Sequence, residues 1–275
     1  MGTGIREVDS HGIQVGRDVP IAPRQAIRQM TLLSILGLSM LMSGCKREAP
    51  QASPSTNAVA PSVNDPLVSG RVTLQGTPPP PRTIVLDATC GKLHTNAPTE
   101  ADYRVGEANG LADVFVYLQG VPDGIGATPE GEAPLLDQQG CLYTPKVFGV
   151  LVNQKFKIRN SDPLLHNVHA VPKTNGEFNF AQPIKGQVNE KAFSKPEVLL
   201  RIKCDVHPWM TTFVGVVPHK FFAVTDEKGR FRLPSGLPAG KYTIEAVHPK
   251  AGRVAQEITV TAGENKPVEL TLSLK

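Results

Sequence analysis

Between Pro196 and Lys203 the chain alternates: Val198, Leu200, Ile202 and then Cys204 share one parity, and Leu199, Arg201 and Lys203 the other. This is the period of a strand with one face turned to an interior, and it carries Cys204 inward with the apolar set. The run continues as Cys204-Asp205-Val206-His207-Pro208-Trp209-Met210, and upstream Leu165-His166-Asn167-Val168-His169 opens a second extended segment. Between them, Phe178 to Gln187 is short and polar with isolated aromatics. A thiolate at a strand end, an imidazole three residues on and a thioether three beyond form a soft ligand set that His166 completes from a second strand. Two nitrogens, one thiolate and a weak methionine sulfur are the donors expected of a blue copper electron-transfer site.

Parity also separates the two upstream histidines. In an extended Leu165 to Ala170, His166 and His169 point to opposite faces, so only one reaches a small site. His166 lies nearer the turn at Ser161-Asp162-Pro163 and is the expected ligand; His169 is expected at the surface or beside a ligand, unless a strand irregularity reverses the two. His94, His219 and His248 are isolated and read as surface or packing residues, and no second ligand cluster of the kind an oxidase needs is visible.

The rest of the chain has the same period of two. Val68 to Leu74, Thr83 to Leu86, Tyr103 to Val105, Leu142 to Val147 and Gln154 to Asn160 read as strands. Ala112 to Leu118 is apolar on both parities, as a central strand is. Gly120 to Gln139, rich in Gly and Pro, reads as loop. After Phe221, Phe222 to Thr225, the pair Phe231 and Leu233, Tyr242 to Val247, Ile258 to Thr261 and Val268 to Leu274 form short strands at sandwich spacing. That stretch is short enough to share its core with the early strands. No stretch after the leader has a helical period, so the expected fold is all-β.

The chain has 275 residues, enough for one or two modest domains. Its formal charge is +4, but four of the arginines lie before Cys45, and no basic block with interleaved aromatics points to nucleic acid. Aromatic content is 5%, low for a binding platform. Arg24 and Arg28 precede an apolar run from Thr31 to Met42 too short for a stable span, and Ser43-Gly44-Cys45 follows. The segment reads as a secretory signal and resembles a bacterial lipoprotein signal, which implies lipidation of Cys45 and a periplasmic protein anchored to the outer membrane. Met42 stands where such signals more often carry leucine, and Met1 to Pro23 is long for the segment before a signal and is set aside. Lys46 to Pro66 reads as a disordered tether. Export permits Cys90 and Cys141 to pair, closing a loop of roughly 50 residues worth a few kcal/mol; the alternative is two separate buried thiols. With that pair formed, Cys204 is the free cysteine a copper thiolate requires.

His166-Asn167-Val168-His169 with Cys204 to Met210 resembles the two ligand segments of amicyanins, small blue copper proteins that accept electrons in bacterial methylamine oxidation. The compact Cys-x-x-His-Pro-aromatic-Met form is shared with them, whereas plastocyanins and azurins use longer loops. The resemblance covers about Cys141 to Val217; a wider one, from Val68 to Gly252, is to exported cupredoxin-like proteins of methylamine utilisation. It implies His166, His207, Cys204 and Met210 as ligands of one type 1 copper, with Asn167 tying the two loops together. Pro208 would stiffen the loop through its fixed φ, and Trp209 would cover the site or face a partner. Lys146, after Pro145, departs from the histidine usual in similar proteins. Thr225 to Phe231 with Leu237 to Tyr242 resembles the carboxypeptidase regulatory-like module, which implies a structural or adhesive role and no peptidase activity.

The expected architecture is a cupredoxin-like Greek-key β-sandwich followed by an immunoglobulin-like, regulatory-like β-sandwich. Its expected parts are leader 1–45, linker 46–66, copper domain 67–219 and β domain 220–275. The expected function is one-electron transfer without enzymatic activity, to a redox partner such as a c-type cytochrome or a periplasmic dehydrogenase. Periplasmic copper delivery or storage with the same ligands is the second reading, and a metal-free structural or adhesive sandwich the third. An electron carrier should have an exposed edge near Trp209 and His207.

Overall fold

A computed structural model describes residues 67–263 and 265–275. The expected signal, Cys45 and the expected tether lie outside the described residues. In chain order the elements are β1 (Ser69–Gln75), β2 (Arg82–Thr83), α1 (Ala88–Gly91), β3 (Thr99–Glu100), β4 (Phe115–Gln119), β5 (Leu135–Gln139), β6 (Leu142–Thr144), β7 (Val147–Leu151) and β8 (Phe156–Asn160). They continue with β9 (His166–Val171), β10 (Phe178–Gln182), β11 (Val188–Lys191), β12 (Glu197–Lys203), β13 (Thr211–Val217), β14 (Phe222–Val224), β15 (Arg230–Arg232), β16 (Gly240–His248), β17 (Gly252–Val260) and β18 (Val268–Ser273). Among the described residues, helix is confined to the single turn of α1 and a short 3-10 turn at Glu107–Asn109, and this part of the chain is essentially all-β.

Two sandwiches result. A five-stranded sheet, β10-β9-β12-β13-β7, faces a four-stranded one, β11-β8-β5-β6, and their inner faces share one core that includes Leu136, Phe156, Ile158, Val168, Leu200, Ile202, Val214 and Val216. The other sandwich sets β15-β1-β18 against β14-β4-β16-β17 over Val72, Leu74, Val114, Val116, Phe231, Ile244 and Leu270.

Three expectations change. A division at 219/220 does not follow the cores, because β1 pairs with β15 and β18, and β4 with β14 and β16. The C-terminal strands are too few to cover their own apolar faces and borrow β1 and β4 to do it. The stretch Gly120 to Gln139 is not all loop: Leu135–Gln139 forms β5, paired parallel to β8, a long-range partnership that local Gly and Pro content conceals. In β12 the parity holds only from Leu200 onward. Leu199 has φ +58 and the register shifts between Glu197 and Leu200, so Val198 packs instead against the cluster around Phe115.

That cluster joins the two sandwiches. Gly149 of β7 and Gly215 of β13 stand opposite each other in the parallel register, leaving a dimple free of side chains. Phe115 fills it, fully buried and stacked 5.5 Å from Phe222. A Cβ on Gly215 would lie 2.2 Å from the Phe115 ring, and one on Gly149 the same distance from Phe222. Gly215→Ala is therefore expected to lower stability by about 1–3 kcal/mol through overpacking, and Phe115→Ala by about 3–5 kcal/mol through the cavity it leaves, both read from urea unfolding.

The loop after β9 is held differently. Glu197 accepts the backbone N–H groups of Lys173, Thr174 and Asn175 at 2.6, 3.1 and 3.2 Å and the Thr174 hydroxyl at 2.8 Å. Partial burial raises its pKa, but these donors outweigh that effect and hold the carboxyl down to about 2, from an ordinary 4.5. A folded pKa below the unfolded one gives stability that is fully present above the unfolded value and lost as pH falls toward 2. Glu197→Gln is expected to be less stable than wild type at neutral pH, with the two unfolding midpoints converging between about pH 5 and pH 2. A gap that stays constant across that range would contradict this.

Candidate metal centre

The turn that precedes β9 fixes the first histidine. Asn160 is fully buried and donates its amide to the carbonyls of Leu164 and Gln182, each at 2.8 Å, while its Oδ1 accepts Asp162 N–H at 2.9 Å. Asp162, itself buried, accepts the backbone N–H of Gly140 at 2.7 Å and of Cys141 at 2.8 Å. Its Oδ2 also lies 2.8 Å from His166 Nε2. A carboxylate only accepts, so Nε2 carries a hydrogen, and in the neutral form of the ring the Nδ1 lone pair faces the other way.

There Nδ1 of His166 meets Nδ1 of His207 at 3.1 Å, and His207 Nδ1 lies 3.7 Å from Cys204 Sγ. The loop between Cys204 and Met210 is a closed turn. Cys204 N–H donates to the Met210 carbonyl at 3.1 Å, Met210 N–H to the His207 carbonyl at 2.9 Å, and His207 N–H to the Cys204 sulfur at 3.4 Å. His166, Cys204, His207 and Met210 are all buried, with exposures of 0, 2, 4 and 1%. Nitrogen and thiolate donors hold ions of this class at about 2.0–2.3 Å, so three donors at these separations fit around one ion without moving the backbone.

Electrostatics favour the ligating protonation state at Cys204 and His207, whereas at His166 they favour the protonated ring, from which a bound ion would have to displace a proton. Burial pushes the Cys204 thiol up, but the His166 ring and the N–H groups of Asn167, His207 and Val206 outweigh it and leave the pKa lowered. Burial pushes His166 down, yet Cys204 and Asp162 reverse that and leave it raised. His207 is lowered by burial and then by the charge of His166. The arrangement is a thiol of lowered pKa beside an imidazole of lowered pKa, with a second imidazole anchored to Asp162.

Around these residues the expected neighbours take up definite places. Asn167 accepts the Asp205 N–H at 2.9 Å and so bridges the two segments. Trp209 donates its indole N–H to the Cys141 carbonyl at 2.9 Å, its ring 5.4 Å from that of His207. Pro208 is exposed. His169 points away, between Asp205 at 2.9 Å and Glu177 at 2.6 Å. Cys90 and Cys141 are bonded to each other, and Cys204 is the free cysteine among the described residues. Lys146 pairs with Glu100. His94, His219 and His248 contact the Gly140 carbonyl, the Leu118 carbonyl and the Tyr103 ring respectively. Two residues of the site escape the sequence reading. Asp162 looks like a turn former until its partners at Gly140 and Cys141 are known, and Asp87, 3.5 Å from His207 Nε2, lies in a stretch without periodicity. The expected exposed edge at His207 is absent, because the segment carrying Asp87 and Cys90 lies over it.

No family model matches the chain, and no curated protein matches it. Among solved structures, a mutant amicyanin with Cu(I) is similar at 22% identity over 37% of this chain and 97% of its own, with a TM-score of 0.28. A purple cupredoxin from Nitrosopumilus maritimus is similar at 20% identity over 30% of this chain and 98% of its own, TM-score 0.27. A copper-containing nitrite reductase from Thermus scotoductus is similar at 22% identity over 36% of this chain and 25% of its own, TM-score 0.27. None of the three is a carboxypeptidase regulatory-like module. Likeness at this level carries no chemistry, which has to come from the side chains.

Removing the Asp162 charge while keeping its shape tests the outer partner. Asp162→Asn is expected to weaken binding of a divalent ion about 10–100-fold, whereas His169→Ala leaves it unchanged, both measured by competition with a chromophoric chelator. Equal affinities for Asp162→Asn and wild type would remove Asp162 from the centre.

Proposed function

We propose that this chain is a type 1 copper protein that carries single electrons in the periplasm, anchored to the outer membrane through Cys45. The observation that carries this reading is the buried trio of His166, His207 and Cys204, with two Nδ1 atoms 3.1 Å apart and the sulfur 3.7 Å from one of them. The residues present fit the metal: two imidazoles, one thiolate of lowered pKa and a buried methionine in the same core are the donor set of such a centre. His166, His207 and Cys204 would hold the ion, with Met210 as the weak fourth ligand. Bound copper supplies a one-electron couple.

What the chain itself contributes is rigidity. Thiolate and thioether favour the reduced ion and imidazoles accept both states, so transfer is fast only where the donors barely move. Asp162 locks His166, the closed turn of residues 204–210 locks Cys204 and His207, and Asn167 ties the two together. Since His207 is covered, the half-buried Trp209 ring, 5.4 Å from it, would offer a way out to a partner, by its chemistry a redox protein such as a c-type cytochrome or periplasmic dehydrogenase. A second reading, copper delivery, is favoured by the two sulfur ligands, which prefer Cu(I).

Copper added to the purified chain is expected to give an intense sulfur-to-copper absorption and a narrow hyperfine splitting in electron paramagnetic resonance. Both should be abolished in Cys204→Ser. A colourless protein that still takes up Cu(I) stoichiometrically would favour delivery, and failure to bind either ion would sink both readings.

A further inference from the structure

The bond between Cys90 and Cys141 lies against the metal centre itself. A sulfur of each, together with a ring nitrogen of His207, forms a buried group whose atoms all lie within 4.8 Å of one another, and the Cys141 sulfur stands in the same relation to Asp162 and His166. Cys141 is held there on every polar side: its N–H by Asp162, its carbonyl by Trp209, its sulfur by Cys90. It occupies the second position of the two-residue turn joining β5 to β6, with φ +53 after Gly140 at +62. Such a turn ordinarily calls for Gly or Asn, and a cysteine bears strain in it.

The other half of the bond sits on a strap. Between residues 75 and 102, Cys90 is the one buried residue. It is carried on the single turn of α1, whose neighbours Thr89, Gly91 and Lys92 are exposed. A segment with so little burial opens locally at low cost, and opening α1 presents the Cys90 sulfur to solvent.

We propose that Cys90 and Cys141 are a masked second metal site, which after reduction by an external dithiol binds one soft monovalent ion such as Cu(I) through two thiolates with His207 beside them. In the unmasking step a thiolate of the dithiol attacks the Cys90 sulfur, the S–S bond breaks and Cys141 leaves. The second thiol of the reductant then displaces Cys90, so that the dithiol departs as a disulfide having supplied two electrons and two protons. Two thiols beside an imidazole are the donors a soft ion selects, and its binding displaces the thiol protons. The site does not depend on copper occupying the first centre.

The test uses the full-length chain and Cu(I) alone, titrated anaerobically against a chromophoric chelator, before and after treatment with an immobilised phosphine that is then removed. Wild type is expected to rise from one to two equivalents on reduction. Cys204→Ser, lacking the first centre's thiolate, is expected to gain one equivalent on reduction, and Cys90→Ser with Cys204→Ser to gain none. Two newly titratable thiols without any gain in Cu(I) would overturn the proposal. So would a disulfide that resists reduction in the folded chain, or loss of the β-type circular dichroism when it is reduced. The blue copper reading fails separately, by the absence of a thiolate-to-Cu(II) band in wild type with the disulfide intact.

Discussion

One buried carboxylate organises the centre. Asp162 takes the two N–H groups of the Gly140–Cys141 turn and the Nε2 edge of His166, so a single side chain sets the position of a hairpin from one sheet and of a histidine from the other. A buried carboxylate is costly unless its lone pairs are filled. Here they are filled by groups that all need fixing: a strained turn, a disulfide and an imidazole tautomer. The polar network of Asn160, Gln182 and Gln138 behind it, with Gln182 bonded to both Asn189 and the Ile158 carbonyl, spreads that constraint across β8, β10 and β11. Histidine orientation is therefore a property of the sandwich rather than of the ligand loop.

The second sandwich bears on the first through packing. Phe115 seated on Gly149 and Gly215 makes β4 part of both structures, since β4 also lies at the centre of the sheet with β14 and β16. β13, which receives that ring, follows directly on the ligand loop and pairs with β12 at Lys203↔Thr211. The C-terminal strands thus brace the strand pair from which Cys204 and Met210 project. This gives the C-terminal strands a structural role toward the candidate centre.

Much of this was legible in the residues. The period of two in β9 and β12 put His166 and Cys204 inside and His169 outside, because side-chain direction in a strand is a local property. The three-residue spacings to His207 and Met210 were local as well. What stayed hidden was set by distant partners. Val198 leaves the Cys204 parity because of a bulge at Leu199, a residue with no sequence signature for positive φ. β5 hides in a run of Gly and Pro because its pairing with β8 is remote. The boundary at 219/220 misplaced β1 and β4 because nothing in a strand's own residues names the sheet it joins. Asp162 and Asp87 read as turn and loop residues because their function is created by what the fold brings to them.

The covering of His207 bears on the proposed function, because an open imidazole edge would be the direct route from a partner to a ligand. Here Asp87, Cys90 and Cys141 occupy that side, and the exposed residues of the loop are Asp205, Val206 and Pro208, with Trp209 half-buried beside them. The indole is bonded to the Cys141 carbonyl, so Trp209 and the disulfide beside the histidines meet at one residue. Cys141 holds the indole through its carbonyl and the strap through its sulfur.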